Sequence, residues 1–89
     1  MLDEYNGIYY GEKRTVSLTW IQTKVLEILI NNKNKVVRPA RIIREIWGKA
    51  ADKRKTTHLI QIHVKNLNKL LKGEVEIIQK NGIGWIIKT

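Results

Sequence analysis

The stretch from Lys55 to Lys72, KTTHLIQIHVKNLNKLLK, constrains this chain more than any other. Wound at 3.6 residues per turn, Ile60, Val64, Leu67 and Leu71 fall at i, i+4, i+7 and i+11 and form one apolar stripe. A helix with such a stripe needs a core to lie on, so the remaining residues must build one. The opposite side carries His58, Ile62, Lys65, Lys69 and Lys72, with Gln61 and Asn66 on the flanks and no acidic residue. That face suits the major groove of duplex DNA. Lysine answers phosphate, amides answer base edges, and an aliphatic side chain can meet a thymine methyl. Taken alone, it is equally the solvated lysine face of an ordinary surface helix.

The placement of charge adds to the argument. The net charge of +9 is gathered in the middle of the chain, where twelve Lys or Arg between Lys33 and Lys72 face only Glu45 and Asp52. The remaining residues carry five positive and six negative side chains. An anionic partner for the central segment follows. Eighty-nine residues suffice for one modest core and not for two, so residues 1–89 are read as a single domain. Cysteine is absent, which excludes a disulfide framework and a thiolate metal site and is compatible with a reducing compartment. No apolar run approaches the roughly 20 residues that span a bilayer. The opening MLDEYNG lacks the basic start and apolar core of a signal peptide. A cytoplasmic protein without a membrane partner is expected.

Taken in order, Ile8-Tyr9-Tyr10 and Arg14 to Leu18 flank Gly11-Glu12-Lys13 and predict a short hairpin, with residues 1–7 either adding strand or fraying. Thr19 is a good N-cap, and Ile21, Val25, Ile28 and Leu29 predict a first helix from Trp20 to Asn31. Asn31 to Asn34 end it. Val36-Val37 reads as a brief extended piece. A second helix starts at Pro39, with Ile42, Ile43, Ile46 and Trp47 on its apolar face and Gly48 as its stop. Residues 48–55, GKAADKRK, predict a polar basic loop, after which Thr56 or Thr57 caps the third helix. A helix N-terminus beside Lys53, Arg54 and Lys55 would be a natural phosphate anchor. Finally, Asn81-Gly82 between Val75-to-Ile78 and Trp85-Ile86-Ile87 predicts a closing β-hairpin.

Catalytic constellations are missing from this reading. His58 and His63, five residues apart, point in different directions on a helix and lack a carboxylate-rich ligand set. Gly82-Ile83-Gly84 precedes a strand and is no phosphate cradle. Glu74 and Glu76 read as a surface pair at the base of the hairpin. No enzyme activity, metal or cofactor is expected.

Four pieces in the right order then resemble one family. Leu18-Thr19 leading to Val25-Leu26 and Leu29 is similar to the LT…LL..L opening of the first helix in OmpR/PhoB-type effector domains. Ile46-Trp47-Gly48 resembles the "vWG" that ends their second helix. Ile60 to Leu67 resembles their "VdVHIsrL" recognition helix, and Gly82-Ile83-Gly84-Trp85 the "GvGY" of their wing. The resemblance covers about Arg14 to Lys88. It implies an α+β winged helix-turn-helix of three helices, a short N-terminal β-hairpin and a C-terminal β-hairpin wing. It also implies a role in regulating transcription, and His63 matches a histidine that family members hold beside the core.

Departures change what can be carried over. Asn66 and Asn68 stand where the family carries arginines, Leu70 where it has lysine, Asn81 where the wing turn has arginine, and Gln22 and Thr23 where it has Glu and Phe. Asparagine can pair bidentately with adenine but cannot replace arginine on guanine or phosphate. The family's four-stranded N-terminal sheet does not fit whole into the first eighteen or so residues. No receiver domain precedes, so a stand-alone domain, or one controlled by another protein, is expected.

The residues expected to contact bases are Gln61, Ile62, Lys65, Asn66 and Lys69, on a recognition helix over residues 56–72. Phosphate contacts are expected from Arg38, Arg41, Lys53, Arg54, Lys55, Thr57, His58 and Lys72, and the wing over 75–88 would reach the adjacent backbone or minor groove through Lys80 and Asn81. The partner is double-stranded DNA, with a second copy on repeated half-sites and RNA polymerase or a relaxase or replication protein as further candidates. Two other uses fit the same residues: an accessory marking a plasmid transfer or replication origin or a phage site, and a protein-interaction module that no longer touches DNA.

Overall fold

The stripe on the third helix is buried: Ile60, Leu67 and Leu71 are fully covered and Val64 is 6% exposed. The computed structural model describes residues 1–48 and 53–88, leaving aside the side chains of 53–55. In chain order the elements are β1 Leu2–Asp3, β2 Ile8–Tyr10, β3 Thr15–Ser17, α1 Trp20–Asn31, α2 Pro39–Trp47, α3 Lys53–Leu70, β4 Glu76–Lys80 and β5 Gly84–Lys88. One core joins them. Val25, Leu26, Ile28 and Leu29 of α1 and Ile42 and Ile43 of α2 meet the α3 stripe, with Ile77, Trp85 and Ile87 of the C-terminal hairpin and Tyr9 of β2. Ile46 and Trp47 pack against it partly buried.

α1 starts on a complete capping box, in which the Thr19 hydroxyl accepts the Gln22 N–H and the Gln22 side chain accepts the Thr19 N–H. Gln22 therefore has a local task that the sequence comparison registered only as a departure. The helix ends at Asn32, whose side chain donates back to the Ile28 carbonyl at 2.7 Å, and Asn34 takes a left-handed φ of 67°. α2 ends as expected on Gly48, whose N–H reaches the Arg44 and Ile43 carbonyls and whose φ of 86° turns the chain out of the helix.

Both ends of α3 differ from expectation. α3 begins at Lys53, so neither Thr56 nor Thr57 is its N-cap, and Lys53, Arg54 and Lys55 lie in its first turn instead of a loop. Thr56 sits at i−4 from Ile60 and is 6% exposed, so it extends the buried stripe by one turn. The intervening residues contain no Gly or Pro to stop the helix earlier. The helix ends at Leu70 instead of Lys72, before a turn containing Gly73. Residues 1–7, open between adding strand and fraying, add one: β1 pairs with β2 through Leu2↔Tyr9 and Asp3↔Ile8, giving the order β1-β2-β3.

The C-terminal hairpin pairs Glu76↔Lys88 through Lys80↔Gly84. Its turn runs over Asn81 and Gly82, closed by the Ile83 N–H on the Lys80 carbonyl at 2.9 Å. Only Gly82 carries a positive φ there, 66°. The extended piece at Val37 joins this sheet, exchanging two backbone bonds with Trp85 at 2.7 and 3.0 Å. A Cβ at Gly84 would overlap the Val37 carbonyl, so this crossing requires glycine. Among the described residues no helix is long and apolar enough to cross a membrane.

Candidate nucleic-acid interface

Gln61, Ile62, Lys65, Asn66 and Lys69 are all exposed on α3, away from its buried stripe, and His58 joins them one turn earlier. Ile62 remains 42% exposed, as does Leu59, which the sequence reading left out. α3 has no acidic residue along its length and Lys69 in its last turn. The five expected base-contact residues are thus brought onto one continuous face, anchored by burial on the other side.

A second set gathers where the start of α2, the second turn of α3 and the hairpin tip meet. Arg38, Pro39, Ala40, Ile43, Thr57, Gly82 and Ile83 line one open groove there. Arg38 is the exposed N-cap position of α2 and makes no side-chain cap bond. Thr57 is half-buried. Lys80 and Asn81 are exposed at the hairpin tip, and Ile83 beside them is 51% exposed. Arg41 is engaged elsewhere, donating to Asn32 Oδ1 at 2.9 Å and lying 3.7 Å from the Glu45 carboxylate. Lys53, Arg54 and Lys55 belong to the first turn of α3, but their side chains lie outside the described residues, as does the whole of 49–52.

The α3 residue that aims the hairpin escaped the sequence reading. Asn68 Nδ2 donates to the Ile77 carbonyl at 2.9 Å, and the Ile77 N–H donates to Asn68 Oδ1 at 2.8 Å. This amide occupies both backbone groups of Ile77 as a neighbouring strand would, and fixes the wing to α3. The signal was its phase: at i+4 from Val64 and next to Leu67, position 68 borders the buried stripe instead of the free face. The same end of α3 also holds the N-terminal sheet. Glu74 accepts the Glu12 and Lys13 N–H groups at 3.1 and 3.2 Å, and Arg14 donates to the Lys72 carbonyl at 2.7 Å. Glu74 is therefore not half of an idle surface pair. The two N–H groups, then the charges of Arg14 and Lys13, hold its carboxyl below the ordinary carboxylate range. Lys72 itself lies in the turn after α3, on a groove with Asn68, Glu74 and Glu76 at the wing base.

His63 is half-buried with Nδ1 covered and unpartnered, and burial pushes its pKa below the ordinary 6.5. Such a neutral imidazole fits a packing role. Among the described residues no group of three or more His, Cys, Asp or Glu is placed to hold a metal ion.

A buried helix with an acid-free outer face, preceded by a shorter helix and followed by a two-stranded wing, is the geometry of a winged helix-turn-helix. Residues 12–87 match the family described as "Transcriptional regulatory protein, C terminal". The chain belongs to that family. Among curated family relatives, the probable transcriptional regulator ycf27 of Galdieria sulphuraria is 25% identical over 91% of this chain. The KDP operon transcriptional regulatory protein KdpE of Escherichia coli K12 is 29% identical over 88% of it. The chain spans only about a third of either relative, 33% and 35% of their lengths. Among solved structures, the AdeR DNA-binding domain, determined in complex with an intercistronic region, superposes over 100% of this chain and 93% of its own with a TM-score of 0.77 at 21% identity. At that identity the likeness establishes the shared fold.

Proposed function

We propose that this chain binds duplex DNA sequence-specifically and regulates transcription, with α3 in the major groove and the β4–β5 wing on the adjacent backbone or minor groove. The observation that carries this reading is the outer face of α3. Gln61, Ile62, Lys65, Asn66 and Lys69 lie together on it, exposed and without a carboxylate, while the inner face is locked in the core. A helix of that form can lie in the major groove with its outer face on the base edges. Arg38, Lys72 and Lys80 flank it for phosphates. His58 stands on the same outer face, and Thr57 and Asn81 border it at the wing side. Lys53, Arg54 and Lys55 add three positive charges to the first turn of α3. Arg41 is the weakest of the phosphate candidates because Asn32 and Glu45 already hold it.

Family membership and the DNA-bound AdeR domain support the reading. A single module of this kind buries only about 600–1,000 Å² against DNA, so specific sites would be repeats filled by two copies. The test is to recover fragmented DNA of the source organism on the purified protein at about 0.15 M salt and sequence what is retained. Discrete fragments upstream of genes, footprinted as paired half-sites, are the expected result. Uniform recovery would reduce the basic face to salt-sensitive attraction and overturn the reading.

A further inference from the structure

The exposed positions of α3 from His58 to Leu70 hold no arginine, the residue that most often reads guanine. Asn68, one of the two asparagines that replace family arginines, is consumed by the wing. Apart from Lys65 and Lys69, what remains on the outer face is of two kinds. Leu59 and Ile62 are each 42% exposed, and Gln61 and Asn66 present free amides beside them. Leu59, Ile62 and Asn66 stand at i, i+3 and i+7, one stripe rising about 10.5 Å along the helix axis. At 3.4 Å per base pair that covers about three steps. Gln61 lies beside Ile62 on the side toward the wing. Lys65 and Lys69 are compact cations on flexible stems, suited to phosphate, and Lys69 sits toward the helix C-terminus.

An aliphatic side chain has one favourable partner on a major-groove floor, the thymine methyl, and an amide pairs bidentately with adenine N6 and N7. We infer that α3 selects an A·T-rich core of about three base pairs, packing Leu59 and Ile62 on thymine methyls and pairing Gln61 and Asn66 with adenines. This rests on the duplex-binding reading above and names the sequence class that such a site takes. It also accounts for two large aliphatic side chains left in water on the face away from the core. In the complex they are covered, which the helix by itself does not achieve.

The test selects bound duplexes from a random pool. The selected site is then remade with uracil for each thymine and 7-deazaadenine for each adenine of the core. Expected are an A·T core, affinity about fourfold weaker for each contacted methyl removed, and a comparable or larger loss where N7 is deleted. Ile62→Ala, at an exposed position, should bind with the same salt dependence yet become indifferent to uracil at one position, and Leu59→Ala to uracil at another. A core specified by guanine would overturn the inference. So would an A·T core insensitive to both base analogues, since its readout would be of groove shape. If no duplex is enriched, the duplex-binding reading itself fails, a result distinct from enrichment of the wrong bases.

Discussion

The two small sheets of this molecule are fastened to the same end of α3 in opposite ways. The N-terminal sheet has strands of two or three residues and contributes one well-buried side chain, Tyr9. Its ties to α3, the Glu74 carboxylate on Glu12 and Lys13 and the Arg14 guanidinium on the Lys72 carbonyl, are exposed. The wing has five-residue strands, buries Ile77, Trp85 and Ile87, and is tied through Asn68 by partly buried bonds. Exposed bonds compete with water and buried ones do not. The wing is therefore held rigidly relative to the outer face of α3, where a shift of its tip would misplace Lys80 and Asn81. The N-terminal sheet bears no such demand, because none of the proposed contacts comes from it.

That contrast can be broken deliberately. Removing Trp85 takes the largest fully buried side chain from the wing while leaving its backbone bonds to Val37 in place. Trp85→Ala should cost about 3–5 kcal/mol in urea denaturation, and a loss below about 1 kcal/mol would mean that the wing is not part of the cooperative unit. Asn68→Ala leaves the Ile77 N–H and carbonyl unpaired. It should cost about 1–3 kcal/mol and speed hydrogen exchange at Ile77 while the amides of α3 stay protected. Unchanged exchange at Ile77 would refute the role given to Asn68. Glu74→Gln should produce the smallest effect, faster exchange at the Glu12 and Lys13 amides with the wing unaffected.

The pH dependence sharpens the same comparison. The Glu74 carboxyl titrates below its ordinary 4.5, so the folded state favours the ionised form. Its stabilising contribution is complete above the unfolded value and is lost as pH falls through the lower folded one. As that carboxyl protonates, the N-terminal sheet should loosen before the wing does, read as faster exchange of the Glu12 and Lys13 amides. His63 adds a separate, higher window. Its folded pKa lies below 6.5, so stability should decline as pH drops from there toward the folded value, and His63→Gln should flatten that part of the profile.

What could be read from the sequence followed from periodicity and local chemistry. The α3 stripe, the Thr19 cap, the Gly48 stop and the Asn-Gly hairpin each announce themselves within a few residues, and together they define the winged helix-turn-helix. The joints could not be read, because they are long-range. Asn68 meets Ile77 nine residues on, and Glu74 meets Lys13 sixty-one residues back. Helical phase turns Asn68 toward the buried stripe but does not name its partner, which depends on the packing of α3 against both sheets. The start of α3 was misplaced for a related reason: Thr56 offers capping chemistry, but burial against the core outweighs it.

The central claim is that duplex DNA meets the outer face of α3 and the wing tip, and leaves the N-terminal sheet alone. It is tested most directly by titrating isotopically labelled protein with a selected duplex and following every backbone amide by NMR. The account predicts shifts concentrated at His58 to Lys69 on the outer face, at Arg38 to Ala40 and at Lys80 to Ile83, with β1, β2 and β3 quiet. Shifts centred on the N-terminal sheet, with the outer face of α3 unmoved, would contradict it.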